Sequence, residues 1–204
     1  MQIEVLVEEP SAEAALKKLL PKILGRTRAR IRNLGSKSQL LRKLPSRLAA
    51  YRNRIAKGED LRVVVLVDRD NDDCMALKAN LEAMASRSGL LTKSAPGRGG
   101  SFHVVNRIAV EELEAWFIGD PEALRAAFTS LPRINPRKGI FRNPDNIRGG
   151  TWESLHRFFR SHGIYRSSYP KIEAARKIAE KLSPDRNNSV SFQAFRRGLE
   201  SLIR

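Results

Sequence analysis

The sequence predicts an α/β fold: a mainly parallel four-stranded sheet flanked by helices, followed by a C-terminal helical extension. Three observations lead there. Short apolar runs alternate with segments of helical period over the first 110 residues. One run, residues 61–67 (Leu-Arg-Val-Val-Val-Leu-Val), is nearly all apolar and β-branched, as a central parallel strand covered on both faces should be. After Val110 only helical patterns recur. Strand–helix alternation selects right-handed crossovers, and hence a parallel sheet.

The elements follow in order. Residues 2–7 suit a strand. Ser11 is placed to cap a helix over 12–24, with Ala15, Leu16, Leu19, Leu20 and Ile23 at helical spacing and Glu13 in the first turn, where it complements the dipole. Residues 28–34 form a weaker strand pattern. Ser36 or Ser38 opens a long helical segment through Leu40, Leu44, Leu48 and Ile55, which Pro45 is expected to kink or divide. After the central strand, Asp72 is placed to cap a helix over 73–87 whose buried side includes Met75, Leu77, Leu81 and Met84. A glycine-rich bend at 96–100 leads to a strand over 102–110. Helical patterns follow at 111–118 and 121–128, the latter capped by Asp120. Beyond a proline- and arginine-rich loop, Thr151 is placed to cap a further helix, and two more cover 171–182 and 191–203. The simplest division is an α/β core at 1–128 and a loop with a helical extension packed on it at 129–204.

Composition narrows the function. The chain has 204 residues, 41% hydrophobic, enough for one sizeable core. No stretch has the eighteen or more apolar residues of a membrane span, and the N-terminus lacks the basic-then-apolar layout of a signal peptide. The single cysteine, Cys74, excludes an internal disulfide and suits a reducing, cytoplasmic setting. The formal net charge is +16. Between Arg26 and Arg62 stand twelve basic residues against two acids, Glu59 and Asp60; between Arg133 and Arg148, five against Asp145 alone. A surface so charged favours polyanions, nucleic acid first among them. Homo-oligomerisation is left open.

Against this basic background, acids cluster where strands end. Open α/β sheets gather ligands beyond the carboxyl ends of their strands. Glu8 and Glu9 end the first strand, and Asp68 and Asp70 end the central one. Alternate strand residues share a side at about 6.6 Å, so Asp68 and Asp70 are expected to repel unless a proton, base or cation intervenes. Carboxylate oxygens suit Mg²⁺. The plainer alternative, in which these acids serve only a helix cap and a turn, stays open. Asp72 and Asp73 fall in a first helical turn, where acids are favourable without metal. Glu114 follows the fourth strand and is placed to enter the same cleft, with Glu111 three residues earlier on the same helical side; Glu112 is expected to be exposed. Trp116 is expected to pack in the core. Lys171, after Pro170 at a helix start, is placed to direct an ammonium at a phosphate, and Arg148 stands beside Gly149-Gly150. No zinc spacing joins His103, His156 and His162, and no P-loop is present.

Two elements, Val7-Glu8-Glu9-Pro10-Ser11-Ala12-Glu13 and Val67-Asp68-Arg69-Asp70, resemble the glutamate and paired aspartates of a Toprim fold. The stretch from Arg107 to Asp120, with 146–153, 170–175 and 191–195, resembles more narrowly an uncharacterised bacterial Toprim-like family often associated with ATPases in mobile or defence loci. The resemblance implies that Glu8 is the first-strand catalytic glutamate and that Asp68 and Asp70 bind Mg²⁺ or Mn²⁺. It adds Glu114 as a further ligand and Lys171 as a site residue, and it implies an ATPase partner. Glu9 departs from the broad pattern, which has glycine there. With no topoisomerase-type tyrosine, zinc motif or polymerising domain, the resemblance points to a metal-dependent nuclease. The alternative is a non-catalytic nucleic-acid-binding or ATPase-regulating module.

Overall fold

The computed structural model describes residues 1–203. Strand β1 (Gln2–Val7) leads into helix α1 (Pro10–Leu24), β2 (Arg28–Asn33), α2 (Lys37–Ala56), β3 (Leu61–Asp68), α3 (Cys74–Arg87) and β4 (Val104–Ala109). Five helices follow: α4 (Glu114–Ile118), α5 (Pro121–Ala127), α6 (Thr151–Ser161), α7 (Lys171–Lys181) and α8 (Val190–Glu200). The four strands form one sheet in the order β2-β1-β3-β4, and every pairing is parallel. All strand carboxyl ends therefore lie at one end of the sheet.

Strand alternation divides the core in two. Ile3, Val5, Val7, Val64 and Leu66 pack with α1 and the helices after β4, while Leu6, Val63, Val65 and Val67 pack with α2 and α3. The first cluster runs without a break from Ile3 to Leu202. α7 lies against α1 and α8 against β4, so the C-terminal helices complete one face of the sheet. No helix among the described residues is long and apolar enough to cross a membrane.

Several local expectations are corrected. Glu9, not Ser11, is the N-cap of α1; Pro10 takes the first helical position, where its missing N–H costs nothing, and Ser11 is buried in the first turn. Pro45 neither ends nor divides α2. It stands on the exposed side, and Leu40, Leu44, Leu48 and Tyr51 bury a continuous stripe that outweighs the lost hydrogen bond. Asp73, not Asp72, caps α3, its Oδ1 accepting from the Ala76 amide at 2.7 Å. Leu77, Leu81 and Ala85 then form the buried stripe, and Met75 is 76% exposed. Gly150, not Thr151, is the N-cap of α6. The helix after β4 starts at Glu114, not Glu111.

Asp120 caps α5 as expected, and it also accepts from the Ser183 amide and receives a bidentate Arg186, at 2.7 and 2.9 Å. Trp116 is fully buried: its indole N–H donates to Ser191 at 2.9 Å, and its ring packs on Phe192 and Phe195 of α8. Trp116→Ala is therefore expected to cost about 3–5 kcal/mol in chemical denaturation, detaching α8 from the sheet.

Candidate functional site

The site forms where β1, β3 and β4 end together. Glu8 follows β1 directly, and its Oε1 accepts the Asp68 amide at 2.5 Å, tying the two strand ends. Past Asp68 the chain stays bonded to the segment after β4: Arg69 N donates to Ala109 O at 2.9 Å and Asp70 N to Glu111 O at 2.7 Å. Asp70 and Glu111 both take positive φ, 50° and 24°, uncommon for residues with side chains. The left-handed turn ends β alternation at Asp68, so the expectation that Asp70 repeats Asp68's side is corrected. Asp70 turns to the α2 side and pairs with Lys37 at 2.6 Å.

Carboxylates crowd around Asp68. Burial pushes its carboxyl well above the usual range, and the negative charges of Glu8, Glu9, Glu114 and Asp70 push it further. Burial also pushes Glu8 up to about 7, against the opposing effect of the Asp68 amide and the Lys37 ammonium. Glu114 is 1% exposed, and neither of its oxygens has a hydrogen-bond partner among the described residues. Its carboxyl is likewise raised to about 7, by burial first, with Lys171 opposing. The Tyr169 hydroxyl, buried beside Glu114, is held well above its ordinary value by desolvation and that carboxyl.

Two lysines answer these charges. Lys37 lies near Glu8, Asp70 and Asp72. Lys171, the first residue of α7, stacks its ammonium 5.2 Å from the Trp152 ring. Burial alone would lower the Lys171 pKa; Glu114, Glu9, Glu112 and Asp68 together raise it. Sequence reasoning placed Lys171 at this site and missed Lys37, whose only signal was its position just after a helix cap.

Glu111 and Glu112 depart from expectation. Glu111 is held by Arg69 at 2.9 Å and Thr151 at 3.3 Å in a turn rather than on a helix face. Glu112 is half-buried and accepts the Trp152 amide at 2.9 Å, a contact across the chain that its sequence neighbours do not announce. Both line a cleft of about 670 Å³ with Arg69, Asp70, Arg148 and Gly150, so Arg148 opens onto the acidic end of the sheet.

The acids thus share one end of the sheet but not one point. No three His, Cys, Asp or Glu side chains among the described residues are gathered closely enough to hold a metal ion together. The donor chemistry, hard oxygens with an unpartnered buried carboxylate among them, nevertheless fits a hard divalent cation. The histidines stand elsewhere: His103 Nδ1 accepts the Leu91 amide, and His156 meets the Tyr165 carbonyl.

Residues 7–200 match the family described as Domain of unknown function (DUF4276). The chain belongs to this family. No curated protein and no solved structure matches it. The DUF4276 match covers every acid and both lysines of the site.

The raised carboxyls make stability depend on pH. Glu8 and Glu114 have folded-state values near 7 against 4.5 ordinarily, so between those values the folded chain holds more protons than the unfolded one. Their contribution to stability therefore falls as pH rises from about 4.5 to 7, by at most roughly 3 kcal/mol each. In EDTA, Glu114→Gln is expected to gain Tm relative to wild type as pH goes from 5 to 7.5. The difference cancels the general acid response of the chain, and a constant difference would show that the Glu114 carboxyl is unperturbed.

Proposed function

We propose that the chain hydrolyses nucleic-acid phosphodiesters with the help of Mg²⁺ or Mn²⁺, as the Toprim-like resemblance implies. The observation that carries this reading is the Asp68 carboxyl, set at the carboxyl end of a parallel sheet in the combined field of Glu8, Glu9, Glu114 and Asp70. Such crowding costs stability and calls for a compensating cation. When bound, the metal supplies charge neutralisation at the phosphoryl oxygens and a water of lowered pKa. Asp68 and Glu114 would hold it, with Glu8 and Asp70 at the rim. Glu8, anchored by the Asp68 amide and titrating near neutrality, accepts the proton of the attacking water. Lys171 and Arg148 orient the phosphate from the α7 side and from the cleft mouth.

The basic surface supplies the polymer track. On edge strand β2, Arg28, Arg30 and Arg32 are exposed and stand in register with Gln2, Glu4 and Leu6 of β1, the two strands running in parallel toward the end that carries Glu8. Arg32 pairs with the buried Glu4 at 3.1 Å, whereas Arg28 and Arg30 make no ion pair among the described residues. Two unpaired arginines whose Cα atoms stand about 6.6 Å apart on one strand suit repeated phosphates of a backbone.

Two observations favour the second reading, a non-catalytic nucleic-acid-binding or ATPase-regulating module: the bulk and charge of Glu9, and the separation of the carboxylates described above. End-labelled DNA and RNA incubated with Mg²⁺, Mn²⁺ or EDTA separate the two. Hydrolysis is expected only with metal and is expected to fall at least about 100-fold in Asp68→Asn. Cleavage that persists in EDTA and in the variant overturns the metal reading; binding without cleavage under all conditions selects the module. In the same binding assay, Arg28→Glu/Arg30→Glu is expected to weaken binding across sequences and to flatten the log-affinity against log-salt slope by roughly 2.

A further inference from the structure

We propose that Lys37 is a tethered cation, filling one of two cation positions at the end of the sheet and leaving a centre that takes a single divalent ion. The inference rests on the metal-dependent reading above and concerns how many ions that site holds.

The ammonium of Lys37 is fully engaged. Its Nζ lies 2.6 Å from Asp70 Oδ2, 2.8 Å from Asp72 Oδ2 and 2.9 Å from the carbonyl of Arg69, which uses all three of its N–H donors. The lysine side chain is 15% exposed, while its two carboxylate partners face solvent at 49% and 51%. Its charge also reaches the Glu8 carboxyl. Three oxygens around one positive centre, with a further carboxylate nearby, form the environment that a hard cation would otherwise occupy.

Helix physics makes the placement specific. Lys37 is the first residue of α2, after the Ser36 cap, and α2 carries no acid in its first turn. A cation at the positive end of a helix is unfavourable by itself. The position becomes favourable only because the loop after β3 brings Asp70 and Asp72 to it, with Asp70 held at φ 50° by its amide bond to Glu111. The backbone thus delivers two carboxylates to the lysine instead of to the group around Asp68.

The sheet keeps the two positions apart. Lys37 opens α2, which packs with the second core cluster, and pairs with Asp70 and Asp72; Asp68 alternates with Leu66, and Glu114 stands between Leu113 and Ala115, all three of the first cluster. On the side of the first cluster the Glu114 oxygens are buried and unpartnered. One position therefore has its cation bonded to its carboxylates, whereas on the other side Lys171 faces Glu114 and Asp68 without an ion pair among the described residues.

Calorimetric and EPR titration of the full chain with Mn²⁺, without nucleic acid, tests this. Wild type is expected to bind one Mn²⁺ with the spectrum of an isolated ion. Lys37→Met is expected to bind two, so that the calorimetric stoichiometry and the amount of EPR-silenced free Mn²⁺ both double. Should Lys37→Met lose its near-UV circular dichroism, Lys37→Gln, which can still donate to the Arg69 carbonyl, is read in its place. Two ions in wild type, or one ion in both wild type and variant, overturn the role of Lys37 while leaving the metal reading intact. No Mn²⁺ bound by either protein overturns the metal reading and this inference with it.

Discussion

Like-charge repulsion at the carboxyl end of the sheet is the constraint on which the rest of this site depends. A parallel sheet delivers all its strand ends to one place, and here β1 and β3 end in Glu8, Glu9, Asp68 and Asp70 while the turn after β4 brings Glu114. Burial removes the water that would screen Glu8, Asp68 and Glu114, so these carboxyls hold their protons more tightly, while the more exposed Asp70 finds a positive partner. Both responses are visible: Glu8 and Glu114 move toward neutrality, and Lys37 and Lys171 are drawn in from helix N-termini on opposite sides of the sheet.

The helices outside the α/β alternation belong to this balance. α7 packs on α1, and its first residue is Lys171; α6 begins at the cleft, where the Trp152 amide meets Glu112 and Thr151 meets Glu111. The segment after β4 is thus anchored by α6 and the β3 turn at once, which explains how Glu111 keeps a positive φ and why Glu114 is presented from a fixed helix start. The apolar cluster joining β1, α1, α7 and α8 holds these parts in register, so the electrostatics of the site are supported by packing far from it.

A basic surface and an acidic site are compatible because they occupy different parts of the molecule. The exposed arginines of β2 lie along an edge strand, where charge also discourages pairing with another sheet. That protective role accounts for arginine on the edge in general; Arg28 and Arg30 also lack ion pairs among the described residues, on a strand running toward the Glu8 end.

Much was legible in the sequence because it rests on local periodicity. The apolar run of β3, the alternation of strands and helices, the burial of Trp116 and the strand-end location of Glu8 and Asp68 all follow from patterns within a few residues. What the sequence by itself determined was the parallel sheet and the acids and lysine delivered to its end. Tertiary structure decided the rest. Pro45 remains within α2 because a long buried stripe outweighs one lost hydrogen bond, and Met75 is exposed because, two positions before Leu77, it falls about 200° round α3 from the Leu77–Leu81–Ala85 stripe. Asp70 leaves the side of Asp68 because a left-handed turn, locked to Glu111, aims it at Lys37 thirty-three positions earlier in the chain. Periodicity reports which face a residue shares with its neighbours along the chain; it carries no information about a charge that a crossover brings from another helix, and that charge decides where each carboxylate goes.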